Sequence, residues 1–364
     1  MTHNPPRSAL AAVVAALAIG GVFAAIPSAG AASLPGSRPP SVAGRASDRP
    51  GLPQTQAARK AARWLGGQFR SQAFIPESGS SAPEYGETVG AVYALAKARV
   101  DPALVRSATN FLARHVNAYV HLSGTSTDQP GALANLIVLA AAEGRNPRAF
   151  GGTNLVSRLL ATQVTTGADR GLFGAPSTSP GAYDQGLALS ALAAVRHAPA
   201  ASIASGASWL RGNECADGGW EDGRIGTVTP CPPVVPSEFQ GPDTNTTSLA
   251  MIGLHAVGRS VPRAAVAFLA AGQTASAGWG YYPHYTHDAD STAEVMQGLL
   301  AAGLSPAAAR FDKGRANPVS ALLAMQITRG AHTGALSYEV GPHHALTADV
   351  LATYQAIPAL LGEV

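Results

Sequence analysis

The chain is poor in charge, in aromatic side chains and in cysteine. Charged residues make up 13% of its 364 residues, aromatic residues make up 6%, and there are two cysteines. The formal net charge is only +3, and the chain has no long basic run and no zinc-finger spacing. The sequence therefore gives no sign of nucleic-acid binding. The apolar residues are mostly alanine, which favours closely packed helices over a sheet.

A long apolar run occurs once, at the N-terminus. Residues 8–26 are almost entirely apolar and follow a short start that ends with Arg7. Small residues at 28–32 then provide a signal-peptidase site, so we expect a signal peptide over residues 1–31. The run is long for a signal peptide, and a retained membrane anchor is the alternative. We expect a secreted or cell-envelope protein with no stable membrane span after cleavage.

The two cysteines are Cys215 and Cys231. An exported chain meets an oxidising compartment, where an even number of cysteines favours a disulfide. We therefore expect these two to be joined, with free thiols as the alternative. Because no histidine or further cysteine lies at ligand spacing nearby, a metal role is weaker still. We expect no resident metal and no cofactor.

Two kinds of segment alternate after a leader over residues 32–53 that is rich in proline, glycine and serine. The first kind has a bulky apolar residue followed by leucine, at intervals of 47, 48, 50, 59 and 54 residues. These pairs begin at Trp64, Phe111, Leu159, Trp209, Phe268 and Leu322. The second kind is Ala-rich and starts at small or capping residues, as helices do. These segments are 87–98, 131–143, 185–196, 246–257, 291–302 and 346–357.

The alternation indicates six units of two helices each. A period of about 50 residues is the signature of a repeat architecture, in which each unit buries its apolar stripe on its neighbours. Six units can continue as an open solenoid or close into a ring. We expect an all-α fold, an α6/α6 toroid of six helical hairpins over residues 54–364. The crowded inner wall suits the Ala-rich helices, and the outer layer suits the helices with tryptophan and phenylalanine.

A loop motif decides between the solenoid and the ring. Residues 268–279 contain an aromatic–Leu pair, then Gln273, then a Gly-Trp pair. This arrangement resembles the QW motif of squalene–hopene cyclases, and residues 209–220 form a weaker copy. The resemblance covers the chain from about residue 54 onward. It implies the toroid shared by terpenoid cyclases and protein prenyltransferases, with the glutamine tying the loop to neighbouring backbone.

A second motif bears on catalysis. Class II terpene cyclases protonate an alkene with the middle Asp of an Asp-x-Asp-Asp-Thr-Ala motif. The run that starts at Asp288 resembles it, with Ser291 in place of the last Asp. The resemblance implies Asp290 as the catalytic acid and Asp288 as its neighbour. The preceding unit repeats the pattern from Asp243, with Asn245 at the middle position. A pattern present in two units indicates helix N-caps more economically than a proton donor.

The densest polar and aromatic stretch is residues 279–290. It and its neighbours provide the ligand-binding candidates Trp220, Asp243, Trp279, Tyr281, Tyr282, His284 and His287. His284, His287, Asp288 and Asp290 could also approach one metal ion, but they follow no strict ligand motif. The zinc-binding Asp-x-Cys pair of protein prenyltransferases is absent. We therefore expect these residues to line a ring mouth rather than to hold a metal.

Carboxylates near the starts of the inner helices leave hydrolase or lyase chemistry open. A glycosidase on a ring of this kind uses two carboxylates that flank the scissile bond. The candidates are Glu84, Glu87, Asp184, Asp217, Glu221, Asp222, Asp243, Asp288 and Asp290.

The sequence favours an exported, non-catalytic toroid of the terpenoid cyclase/prenyltransferase type. We expect it to bind a small apolar or aromatic-faced ligand or an envelope component. The alternatives are a cyclase that uses Asp290 as proton donor, an enzyme that cleaves polysaccharides with two mouth carboxylates, and a purely structural interaction module.

Overall fold

The computed structural model describes residues 51–70, 72–175, 181–222, 230–238 and 240–364. The predicted signal peptide and nearly all of the predicted leader lie outside the described residues. The first helix begins at Leu52, two residues before the predicted start of the toroid. Among the described residues, no helix has the length and apolar character needed to cross a membrane.

The described residues form thirteen α-helices, numbered along the chain. They are α1 (Leu52–Gly67), α2 (Tyr85–Ala98), α3 (Pro102–Arg114), α4 (Val116–Val120), α5 (Pro130–Ala142), α6 (Leu155–Ala161), α7 (Ala182–Ala193), α8 (Ala200–Gly212), α9 (Thr244–Ala256), α10 (Arg263–Gly272), α11 (Ala289–Ala301), α12 (Pro318–Ala324) and α13 (Val350–Leu361). Short 3₁₀ helices cover Pro147–Ala149, Pro236–Glu238, Ala309–Phe311 and Pro342–His344.

Two short antiparallel ribbons lie beside the helices. Strand β1 (Ile75–Pro76) pairs with β2 (Pro83–Glu84), and Ile75 is opposite Glu84. Strand β3 (Leu336–Ser337) pairs with β4 (Ala348–Asp349), and Leu336 is opposite Asp349. Each ribbon leads directly into an inner helix, and so it helps to fix where that helix begins.

The inner helices α2, α5, α7, α9, α11 and α13 form a closed ring. Each contacts the next along this series, and α13 contacts α2. Helices α1, α3, α6, α8, α10 and α12 form the outer layer. The predicted α6/α6 arrangement, including the Ala-rich inner set, is therefore confirmed. Helix α13 begins four residues later than predicted, because β4 and the Asp349 N-cap occupy the preceding residues.

Glycines let the inner helices approach one another closely. A Cβ atom on Gly186 of α7 would lie 2.4 Å from the backbone oxygen of Leu249 in α9. One on Gly253 of α9 would lie 2.6 Å from the oxygen of Gly186. Each clash is with backbone rather than with a flexible side chain, so no larger residue fits without moving a helix.

Three glutamines that follow outer helices bond to the backbone of the next unit around the ring. The Gln163 amide donates to the Ser202 carbonyl of α8 at 2.9 Å, and the Gln273 amide donates to the Phe311 carbonyl at 2.8 Å. The Gln326 amide donates to the Ala57 carbonyl of α1 at 3.0 Å. Because α1 is the first helix and Gln326 follows α12, this last bond closes the outer layer of the ring.

The remaining polar residues at this repeat position act locally. Gln68, His115 and Asn213 each bond to a carbonyl of their own helix, four residues back. The predicted disulfide between Cys215 and Cys231 is present, with the two Cα atoms 5.7 Å apart. It joins the segment after α8 to the segment that leads towards α9.

Candidate functional site at the ring mouth

Two aspartates cap neighbouring inner helices in the same way. Oδ1 of Asp243 accepts the backbone N–H of Thr246 at 2.7 Å, and Oδ1 of Asp288 accepts that of Ser291 at 2.7 Å. Burial raises the pKa of each carboxyl to about 7, against the opposing effect of these hydrogen bonds. Both residues therefore have the predicted N-cap role.

Asp290 lies in the first turn of α11 but does not cap it. Its side chain is buried, and neither carboxyl oxygen has a hydrogen-bond partner among the described residues. Burial, followed by the negative charges of Asp288, Asp349 and Glu294, raises its pKa well above the usual value. Burial and neighbouring negative charges both favour the protonated form of this carboxyl. The cap interpretation therefore does not extend to Asp290.

Asp290 is the first of three polar residues that form a stripe along α11. Glu294 and Gln297 follow at i+4 and i+7, which places all three on one face of the helix. Burial raises the pKa of Glu294 to about 8. The Glu294 carboxyl also interacts electrostatically with Tyr183 of α7, two helices away around the ring. Asp290, Glu294 and Gln297, called the lumen stripe below, therefore face the ring axis.

Tyrosines complete the lining of the lumen. Tyr183 of α7 and Tyr354 of α13 come from opposite sides of the ring and interact with each other. Tyr354 also interacts with Glu87 of α2 and with Asp290. Burial raises the pKa of both tyrosines well above the usual value. The lumen is therefore lined by buried carboxyls and phenol rings.

The ring mouth is the rim at the starts of the inner helices. Its half-buried acidic and phenolic side chains are Glu84, Glu87, Asp222, Tyr281, Tyr338 and Asp349. Burial, and then the charges of Glu84 and Asp349, raise the pKa of Glu87 to about 7. Burial, and then the charge of Asp243 before other acids, raises the pKa of Asp222 well above its usual value. The mouth thus continues the acidic and phenolic character of the lumen.

Backbone hydrogen bonds hold two mouth tyrosines in place. The Tyr281 carbonyl accepts the N–H of Thr244 at 2.9 Å, and the Tyr338 carbonyl accepts that of Ala289 at 2.8 Å. Each bond joins a loop to the first residue of an inner helix. The two phenols are therefore presented in equivalent positions of adjacent repeats.

Two residues that were predicted to bind a ligand are instead part of the protein core. The indoles of Trp220 and Trp279 are fully buried. Their Nε1–H groups donate to the carbonyls of Leu210 in α8 and Leu269 in α10, at 2.8 and 2.6 Å. They have no exposed surface with which to contact a ligand, so the prediction for these two residues is corrected.

The stretch from residue 279 to 290 divides between the two sides of the ring wall. His284 is exposed and, with Phe268 and Pro283, lines an outer groove of about 790 Å³. Tyr282 is buried against Tyr285, with ring centroids 6.3 Å apart. His287 is half-buried, and burial lowers its pKa. Of the predicted candidates in this stretch, only Tyr281, Asp288 and Asp290 belong to the mouth and lumen.

Two other carboxylates among the catalytic candidates accept hydrogen bonds from loop backbone. The Asp217 carboxylate accepts the Gly219 N–H at 3.0 Å, and the Glu221 carboxylate accepts the Gly241 N–H at 3.1 Å. No group of three or more His, Cys, Asp or Glu side chains that could hold a metal ion occurs in the described part of the chain.

The residue-level prediction missed most of the lumen. Glu294, Gln297, Tyr183, Tyr354 and Gln355 were not among the candidates, although all are buried inside the ring. A signal was available on α11, since three polar residues at i, i+4 and i+7 are unusual in an Ala-rich inner helix. The two tyrosines carry no such signal, because their approach depends on closure of the ring.

Comparison with known proteins identifies the fold. The chain matches no family model, and no curated protein is significantly similar to it. Two solved structures of type II terpene cyclase MstE from Scytonema, one with the product merosterolic acid A and one with the substrate geranylgeranyl dihydroxybenzoate, each have a TM-score of 0.54. They are 16% and 15% identical to this chain, and each match covers 85% of this chain and 97% of the cyclase.

A third solved structure is larger. The ent-copalyl diphosphate synthase from Streptomyces platensis is 22% identical, with a TM-score of 0.49, and the match covers 77% of this chain. This chain spans about half the length of that enzyme, since the match covers 50% of it. The described part of the chain has the α/α toroid fold that is seen in the MstE structures.

Proposed function

We propose that this protein is an exported, non-catalytic toroid that binds a small ligand through the ring mouth. The observation that carries the proposal is the contrast between mouth and lumen. Phenols and carboxyls at the mouth are half-buried and open to a ligand, whereas Asp290, at the position of a cyclase acid, is only 2% exposed. The mouth can therefore receive a molecule.

Two further observations support a role without catalysis. Ser291 stands where the cyclase motif has its last Asp, and Asp288 is engaged as a helix cap. An alkene is a very weak base, so its protonation needs a strong acid held by hydrogen-bonding neighbours. Asp290 has the opposite setting, because burial and nearby negative charges make it a weaker acid.

Export is supported by the N-terminal segment and by the disulfide. Residues 1–31 have the pattern of a signal peptide. The Cys215–Cys231 disulfide suits the oxidising conditions outside the cytoplasm. The ligand class is suggested by the similar structures, in which MstE is in complex with geranylgeranyl dihydroxybenzoate or with merosterolic acid A. We propose an apolar or aromatic-faced ligand, or an envelope component with such a group.

Native mass spectrometry of the protein purified from its secreting host tests this proposal. We expect a fraction of the protein to retain one small molecule, which is released on unfolding. The same sample should start after the predicted cleavage site near Ala31. A protein that is free of ligand in every preparation, and that binds no member of a terpenoid panel, would contradict the proposal.

A second candidate function is a proton-initiated cyclase with Asp290 as acid. It is favoured by one observation, the two carboxyl oxygens of Asp290 without partners in the described lumen. Incubation with linear polyprenyl substrates and an Asp290→Asn control tests it. A cyclic product that disappears in the folded variant would establish this candidate and overturn the non-catalytic proposal.

A further inference from the structure

Three inner helices bring hydrogen-bond acceptors without partners into the lumen. Besides both oxygens of Asp290, these are Oε1 of Glu294, Gln297 and Gln355 and Oδ1 of Asn135. Every one of these side chains is at most 5% exposed. Buried polar groups in native proteins are nearly always satisfied by protein, water, an ion or a ligand. The number of unsatisfied acceptors here points to an occupant that donates hydrogen bonds.

The acceptors converge because of where their helices lie. Asn135 is on α5, the lumen stripe is on α11, and these two helices face each other across the ring. Gln355 is on α13, next to Tyr354. The Asn135 amide donates to the Tyr119 hydroxyl at 3.1 Å, and Tyr119 in turn interacts with Glu84 at the mouth. The acceptors therefore lie on inner helices from both sides of the ring.

The inner helices supply almost no cation to this space. Their described residues include one lysine, Lys97, and one histidine, His255, each in the last turn of its helix. These positions are at the end of the ring opposite the mouth. Lys97 is already paired with Glu363, and its Nζ lies 5.7 Å from the centroid of the Tyr93 ring. The stripe and mouth acids thus have no basic partner from these helices.

Aromatic faces accompany the acceptors. Tyr183 and Tyr354 project from opposite walls and interact with the acids of the lumen stripe. Phenol rings attract cations through the negative face of the ring, and carboxylates form charge-assisted hydrogen bonds with ammonium groups. An ammonium group, which only donates hydrogen bonds, is the chemical complement of this set of side chains.

We propose that the ligand of this ring is an organic cation, whose ammonium group binds the lumen stripe while its apolar body remains at the mouth. This inference rests on the proposed ligand-binding function and narrows its ligand class. Asp290 faces Asp288, Asp349 and Glu294, and Glu294 faces Tyr183. A bound ammonium group favours the ionised form of these acids, so its binding near pH 7 releases protons from the protein.

The test uses a matched pair of probes with the purified full-length exported protein. Geranylamine and geraniol share an apolar body and differ in a cationic or a neutral head. Calorimetry should show that the amine binds more tightly, by about tenfold or more. Titration in two buffers of different ionisation enthalpy should show proton release for the amine and none for the alcohol.

Two variants locate the effect. Glu294→Gln removes one stripe acid while keeping its shape, and we expect about a tenfold loss of amine affinity with little change for the alcohol. Glu238→Gln removes an exposed acid of the 3₁₀ helix outside the lumen and should change neither affinity. Thermal unfolding of both variants checks that each is folded.

The outcomes separate this inference from the proposed function. Equal affinity for the two probes, or an unchanged amine affinity in Glu294→Gln, overturns the cation inference and leaves the ring as a binding site. Absence of binding by both probes overturns the cation inference. If the protein from its host is also free of ligand, the proposed function fails with it.

Discussion

Two neighbouring inner helices, α9 and α11, begin with the same Asp cap and the same Thr four residues later, and they differ inside the ring. Asp243 and Asp288 cap them with equal hydrogen bonds of 2.7 Å. At the sixth residue after the cap, α9 has Leu249 where α11 has Glu294. The caps are shared, whereas the three lumen-stripe positions all differ, with Asn245, Leu249 and Ile252 in α9. Similarity between repeats therefore marks the scaffold, and divergence marks the candidate site.

The strongest test of the shared scaffold is a glycine of α9. Gly253→Ala places a methyl group 2.6 Å from the backbone oxygen of Gly186, so helices α7 and α9 must separate. We expect a loss of about 3 kcal/mol in the free energy of unfolding, measured with denaturant. Gly67→Ala, at a helix end with nothing within 4 Å, is the control and should be neutral or slightly stabilising. Similar stabilities for the two variants would contradict the close packing.

Making α11 resemble α9 should stabilise the protein. The Oε1 atom of the buried Glu294 has no hydrogen-bond partner among the residues that the structure describes. Glu294→Leu replaces this acid by leucine, the residue at the equivalent position of α9. We expect a gain of about 2 kcal/mol at pH 8, with a smaller gain at pH 5. Chemical denaturation at the two pH values measures it. A destabilised variant would show that the carboxyl makes favourable contacts within the ring.

The buried acids also predict how stability depends on pH. The pKa is raised by burial to about 8 for Glu294 and to about 7 for Glu87 and Asp243. The folded protein therefore binds more protons than the unfolded chain between about pH 4 and pH 8. Stability is highest at the acid end of this range and falls as pH rises. A melting temperature that increases from pH 5 to pH 8 would contradict this assignment.

The two caps should contribute almost equally. Asp243→Ala and Asp288→Ala each leave one N–H of the first helical turn without its acceptor. We expect each to cost about 1 kcal/mol, with a difference between them smaller than either loss. Asp→Asn at both positions retains an acceptor and should cost less. Denaturant unfolding of the four variants compares the repeats directly. A large loss of stability in Asp288→Ala alone would indicate that Asp288 has a further role.

Much of the fold could be predicted because its determinants are local and repeated. The aromatic–Leu pairs, the caps at Asp243 and Asp288 and the Ala-rich segments located both helix layers from short windows of sequence. Both boundaries of α13 were displaced. Helix α13 was expected to stop at Ile357, before a proline, but it continues to Leu361 because Pro358 and the residues after it are buried against the ring.

The site was harder to predict because side-chain direction depends on ring closure. Asp290 was grouped with the caps, yet its carboxyl turns inward only two residues after the Asp288 cap. Trp279 and His284 lie within six residues of each other, yet one is fully buried and the other faces the outer groove. Sequence spacing does not distinguish these directions, since the loop conformation is set by contacts with distant helices.

Native mass spectrometry of the exported protein tests the central claim most directly, with wild type and Glu294→Leu prepared side by side. The account predicts a bound small molecule on the wild type and its loss from the variant, with both proteins folded. A bound molecule retained equally by both proteins, or none on the wild type, would contradict a ligand site on the lumen stripe.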